Sequence, residues 1–113
     1  MKTILISGGS EGLGKAIAKK LVQNNKVVIL ARDEAKLKAT ADELGCHYIV
    51  GDVRDYAAMQ KVCDELGNID CLVNNAGVWL QGPLDESDDE RIQGVIDTNV
   101  NGTISLTKAV IPQ

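Results

Sequence analysis

Phenylalanine is missing from this sequence, and among its 113 residues there are two prolines, one tryptophan and one histidine. With so few aromatics the core has to be aliphatic. Val, Ile, Leu and Ala must do most of the packing, as they do in buried parallel strands and the helices over them. A single histidine, His47, excludes a histidine-based metal centre or a Ser-His-Asp triad; it reads as a strand-edge residue. The three cysteines, Cys46, Cys63 and Cys71, form no C-x-x-C pair, so they read as reduced thiols rather than a redox site. No apolar run approaches membrane-spanning length. Positive charge is not in surplus either, with a net charge of −4 and a sequence pI of about 4.9. That argues against a broad nucleic-acid or anionic-membrane surface, though it allows a local cationic pocket. Met1 leads almost directly into the first apolar run, with nothing that reads as a signal peptide. The expected compartment is the cytoplasm.

What remains is an ordinary globular composition, 44% hydrophobic and 25% charged. One domain is expected over residues 1–113, since no repeat or low-complexity stretch divides the chain. Lys2 to Ser7 reads as a buried strand ended by glycines. Leu13, Ile17, Leu21 and Val22 then recur at helical spacing until Asn24 and Asn25. Lys26 to Ala31 is a second strand, and Asp33 caps a helix that Gly45 terminates. His47 to Val50 is a third strand, followed by a helix from Asp55 to Gly67. Ile69 to Val73 is a fourth. After a loop with Gly77, Gly82 and Pro83, Ser87 and Glu90 form a capping box. One long helix follows, carrying Ile92, Val95, Ile96, Val100, Ile104, Leu106 and Val110, weakened locally by Gly94 and Gly102 and ended by Pro112. Strands alternating with helices through short loops specify an α/β fold with a parallel sheet.

The stretch "SGGSEGLGKA", Ser7 to Ala16, has the character of a phosphate-holding turn. Gly9, Gly14 and Lys15 match the triphosphatase pattern G-x-x-x-x-G-K-[ST], but Ala16 stands where a hydroxyl must ligate magnesium. The second and fourth strands, ending in Ala31-Arg32 and Val73-Asn74, supply no carboxylate for such a metal either. The alternative is a dinucleotide turn. Its glycines permit a tight strand-to-helix reversal and close approach of backbone N–H groups to a pyrophosphate at the helix N-terminus. The spacing Gly8-x-x-x-Gly12-x-Gly14 is not the common G-x-G-x-x-G and is weak on its own.

Three further motifs follow it in order: Asp52-Val53 after the third strand, Asn74-Asn75-Ala76-Gly77 after the fourth, and Asn99-Val100-x-Gly102 in the last helix. Together the four resemble the short-chain dehydrogenase/reductase family along the whole chain, as the amino-terminal half of a family domain. The resemblance implies a Rossmann-type parallel sheet, truncated, of order 3-2-1-4 with helices on both faces. It implies an NAD(P)-dependent oxidoreductase that transfers hydride between a nicotinamide and a carbonyl or alcohol. Ser7, Gly8, Ser10, Gly12 and Leu13 would surround the pyrophosphate and adjoining ribose. Asp52 would accept from the adenine amino group with Val53 against the ring, although Asp52 also reads as a plain turn residue. Asn75, Ala76 and Gly77 would line a ribose, and Asn74 would brace the central strand. Trp79 reads equally as a flank of the nicotinamide and as packing.

An arginine just after the second strand accommodates a 2′-phosphate, whereas an acid there binds a 2′-hydroxyl. Arg32 therefore points to NADP over NAD. Glu11 opposes this, standing where many NADP-binding relatives carry a second base, and Asp33 reads as a helix cap or as a diol-binding acid. Asn99 matches the asparagine of the family's proton relay. The family's tyrosine and lysine lie in a Tyr-x-x-x-Lys segment, which these residues do not contain: Gln60 follows Tyr56, and Asp52 follows Tyr48, at that spacing. The family's serine is missing too. The chain alone is therefore expected to be inactive, and a non-catalytic nucleotide-binding or structural half-domain is the alternative. Its expected partners are a nicotinamide dinucleotide and a second copy or second chain, met through the open edge of the fourth strand and the last helix.

Overall fold

Two apolar faces on every central strand dictate the architecture. In the computed structural model, which describes residues 1–77 and 88–111, the strands are β1 (Thr3–Ser7), β2 (Lys26–Ala31), β3 (His47–Val50) and β4 (Cys71–Asn74). All pair in parallel in the order β3-β2-β1-β4. The helices are α1 (Gly12–Leu21), α2 (Glu34–Leu44), α3 (Tyr56–Leu66), α4 (Asp89–Ile96) and α5 (Thr103–Val110). Alternate residues of each strand point to opposite sides. Ile4, Ile6, Val27 and Ile29 pack with Ala18 of α1 and with Leu37 and Ala41 of α2. Leu5, Val28 and Leu30 pack with Met59, Val62 and Cys63 of α3 and with Leu106 and Ala109 of α5. The sheet is thus covered on both faces, as a parallel sheet requires.

The local signals that start and stop the helices act as their chemistry requires. The Asp33 and Asp55 carboxylates accept from the Lys36 and Ala58 N–H groups at 3.2 and 3.1 Å, satisfying donors at the starts of α2 and α3. Gly45 closes α2 in the left-handed conformation, at φ 71°. Asn25 donates through Nδ2 to the Leu21 carbonyl at 3.0 Å, satisfying an acceptor at the end of α1. His47 opens the edge strand β3 and is exposed. The cysteines are free, and burial pushes the Cys46 and Cys63 thiols up, away from the reactive thiolate.

Two expectations are corrected. The fourth strand is shifted, running from Cys71 to Asn74, because Asp70 is engaged at the sheet edge: its N–H donates to the Thr3 carbonyl and its carboxylate accepts from the Thr3 N–H. The last helix is not continuous α-helix. Between α4 and α5 runs a π-helical segment, Asp97–Gly102. There Gly102 lies so close to Val53 that a methyl group would meet the Val53 Cγ2 at 2.6 Å. The helix cap at its start is Asp88, whose carboxylate accepts from the Arg91 N–H at 2.7 Å, and Glu90 lies in the first turn. Ser87, Trp79, Gly82, Pro83 and Pro112 lie outside the described residues.

The last helical stretch has two apolar sides of unequal fate. Thr98, Gly102, Leu106 and Ala109 are buried, whereas Ile96, Val100, Ile104 and Ile111 are exposed. Leu106→Ala should therefore destabilise the fold by about 2–5 kcal/mol, the usual range for emptying a core leucine site. Ile104→Ala should change stability by no more than about 0.5 kcal/mol. Chemical denaturation of the two variants checks the assignment; similar losses in both would contradict it.

Candidate functional site

Parallel strands of order 3-2-1-4 leave a crevice at their carboxyl ends where the chain turns outward in opposite directions from β1. A cleft of about 680 Å³ lies there, lined by residues that include Gly8, Ser10, Glu11, Arg32, Asp33, Asp52, Val53, Asn75, Ala76, Gly77 and Thr98. Its floor is a polar clasp between the loops after β1 and β4. The buried Ser7 hydroxyl accepts the N–H groups of Asn75 and Ala76 at 3.1 and 3.0 Å, and donates to the Val73 carbonyl at 3.5 Å. Asn75 Nδ2 donates to the Gly8 carbonyl at 3.0 Å.

The packing leaves no room for a side chain at Gly8 or Gly14. Gly8 has φ 71°, and a Cβ there would sit 2.9 Å from Ala76 Cα. A Cβ on Gly14 would overlap the Gly8 carbonyl oxygen. The turn is held from the other side by Thr40 of α2, whose hydroxyl donates to the Ser10 carbonyl at 2.8 Å. Among the described residues no side chain caps α1, so the N-terminal N–H groups of that helix present their partial positive charge.

The expected site residues fall into two groups. Gly8, Ser10, Arg32, Asp52, Val53, Asn75, Ala76 and Gly77 converge on the cleft. Ser7 lies beneath it, with its hydroxyl committed to the clasp, while Gly12 and Leu13 are exposed and outside the lining. Asn99 lies on the π segment beside Gly77, where a Cβ would come within 3.3 Å of its Oδ1. Asn74 donates to the Thr107 hydroxyl at 2.9 Å and so ties β4 to α5. Thr98 and Gly51 line the cleft without having been singled out from sequence. Thr98 adjoins the Asn99-Val100 motif, and Gly51 precedes Asp52, so neighbouring motifs held the signal.

Charge at the rim is locally balanced. Arg32 is exposed at the end of β2 and makes no hydrogen bond or ion pair among the described residues. Asp52 is gripped by Arg54, whose Nε lies 3.0 Å from both carboxylate oxygens and whose terminal nitrogen lies 2.6 Å from Oδ2. The Arg54 guanidinium holds the Asp52 carboxyl below its ordinary range, against some desolvation and with a smaller contribution from Arg32. Among the described residues, no group of three or more His, Cys, Asp and Glu side chains is placed to hold a metal ion. No helix among them is long and apolar enough to cross a membrane.

Comparison with known proteins agrees with this geometry. A family model described as short chain dehydrogenase matches residues 2–113. The chain is similar to the oxidoreductase UcpA of Escherichia coli K12, 40% identical over 99% of this chain and 46% of that protein. It is similar to the NADP-dependent 3-hydroxy acid dehydrogenase YdfG of Salmonella typhi, 38% identical over 96% of this chain and 47% of that protein. Among solved structures, the closed form of serine dehydrogenase complexed with NADP+ superposes with a TM-score of 0.90. It is 35% identical, over 97% of this chain and 48% of that one. The chain spans about half the length of the curated relatives it matches.

Two measurements check the site's construction. Gly14→Ala should destabilise by about 1–3 kcal/mol, as overpacking does, read as a lower denaturation midpoint. Arg54→Ala should raise the Asp52 carboxyl toward its ordinary value near 3.9, read by NMR titration. Because the folded-state value is depressed, the pair's stabilisation is present above the unfolded value and lost as pH falls through the folded one. Removing Arg54 should therefore flatten the acid limb of the stability curve, slightly for so exposed a pair.

Proposed function

The chain belongs to the short-chain dehydrogenase/reductase family, and from that premise we propose that these residues form the cofactor-holding part of an NADP-dependent oxidoreductase. The observation that carries the reading is the convergence of Gly8, Ser10, Arg32, Asp52 and Asn75 to Gly77 on one cleft. Gly8 lets the two loops close on one another, since a methyl there would strike Ala76. The uncapped start of α1 suits a pyrophosphate. Asp52 and Val53 would meet the adenine, and Asn75 to Gly77 a ribose. Ser7, in this reading, supports the cofactor through the loops it joins.

Arg32 supports the choice of NADP. Its planar guanidinium suits a phosphate, and it lies at the cleft with no partner among the described residues competing for it. Asp33, the rival diol-binding acid, already accepts the Lys36 N–H as a helix cap. The named relatives that use or hold NADP point the same way.

When bound, the nicotinamide supplies hydride exchange with a carbonyl or alcohol. Asn99 would hold water in the accompanying proton relay. The Tyr-x-x-x-Lys pair that moves the proton in the family is not among these 113 residues. A second reading, a non-catalytic nucleotide-binding half-domain, shares the same cleft. In either case the open edge of β4 and the exposed Ile96, Val100 and Ile104 suit self-association or a second chain. Three free cysteines suit a cytoplasmic setting.

Titration with NADPH and NADH tests the cofactor reading. Arg32→Ala should weaken NADPH binding about 10- to 100-fold, the loss of a charge-assisted contact, while NADH binding changes little. Equal losses would remove the 2′-phosphate assignment. The purified 113-residue chain should oxidise no NADPH with carbonyl substrates. Turnover there would place the proton-transfer group among these residues and overturn the division of labour.

A further inference from the structure

Three carboxylates, Glu11, Asp33 and Asp52, line the cleft against one guanidinium, Arg32. Such a rim repels a phosphate unless its acids are engaged elsewhere. Asp33 caps α2 and Asp52 is held by Arg54. Glu11 has neither use. It stands at the start of α1 without capping it, and among the described residues its carboxylate meets one partner, Lys36 Nζ, at 3.1 Å. Lys36 sits on the first turn of α2, three residues beyond Asp33 and four beyond Arg32. The Thr40–Ser10 hydrogen bond at 2.8 Å and the Lys15–Glu43 ion pair at 2.6 Å hold α2 against the glycine turn. Lys36 is thus presented to Glu11 by a braced element.

We propose that Lys36 is a positioning residue for cofactor choice: it draws the Glu11 carboxylate onto α2 and cancels its charge, leaving Arg32 to act on a 2′-phosphate. The inference rests on the NADP reading above and adds to it a residue outside the cleft lining. An exposed ion pair of this kind contributes little to fold stability. Its effect on a ligand differs, because an uncompensated carboxylate at the rim acts on the ligand's own charge. Both cofactors carry a pyrophosphate that feels this repulsion, and a 2′-phosphate adds further negative charge, so NADPH feels it more than NADH.

The test is a charge cycle read as NADPH and NADH affinities for the wild type, Lys36→Gln, Glu11→Gln, the double variant and Lys36→Arg, with Arg32→Ala as a reference. Lys36→Gln should weaken NADPH about 3- to 10-fold, as expected for a partly screened charge, and NADH distinctly less. Glu11→Gln should bind NADPH at least as well as the wild type. The double variant should bind NADPH about as well as the wild type, since both charges of the pair are removed together, and Lys36→Arg should keep the wild-type preference. The Lys36→Gln effect should fade near 1 M salt, where the screening length is about 3 Å. Equal losses for both cofactors would make Lys36 merely structural and overturn the proposal. A double variant as weak as Lys36→Gln would mean that Lys36 touches the phosphate itself, and would overturn it too. In both cases an Arg32-dependent NADPH preference leaves the NADP reading standing. A wild type that prefers NADH, or ignores Arg32→Ala, defeats both.

Discussion

The cleft exists because the loops after two neighbouring strands are held within hydrogen-bonding distance by one buried hydroxyl. Ser7 sits at the last position of β1, 1% exposed, and takes the N–H groups of Asn75 and Ala76. A buried donor left unsatisfied is costly, so this hydroxyl fixes where the chain leaves β4. Asn75 completes the clasp by donating to Gly8, and the space left permits no side chain on Gly8 or Gly14. Sheet order, glycine turn and the Asn-Asn-Ala-Gly loop are therefore one constraint expressed at three places. The surfaces that converge on the cleft are what this constraint leaves exposed above it.

A cleft suited to a polyanion that is lined by three acids looks self-defeating until each acid is followed to its partner. Asp33 takes a backbone N–H at the start of α2, Asp52 takes Arg54, and Glu11 takes Lys36. The cations Arg54 and Lys36 stand behind or beside the lining rather than in it. This leaves Arg32 as the cation of the lining. The chain's net charge of −4 thus says little about the sign of this rim, which is set by local pairing over a few ångströms.

Much of the fold was legible because it is written in short segments. The aliphatic runs of β1 and β2, the capping aspartates and the left-handed Gly45 each act within a few residues of themselves. Of the cleft, the four motifs located the strand-end loops, because those loops must follow strands. What sequence did not disclose depends on partners far apart in the chain. Thr40 reaches Ser10, and Lys36 reaches Glu11, across 30 and 25 residues. No periodicity reports such contacts. The π segment was hidden for a similar reason: Gly102 alone reads as a weak helical position, and only the presence of Val53 opposite gives it a packing role. The commitment of the Ser7 hydroxyl to the Asn75 and Ala76 N–H groups was equally invisible, since a serine before a glycine turn has the same letter whether its hydroxyl faces ligand or core.

The π segment meets the cleft on one side and faces outward on the other. It carries Thr98 to the cleft and Asn99 to Gly77, and sets Gly102 against Val53, which itself lines the cleft. Half a helical turn away, the same stretch exposes Val100 between Ile96 and Ile104. A helix apolar on opposite sides is characteristic of one covered on both, and here the sheet covers only one.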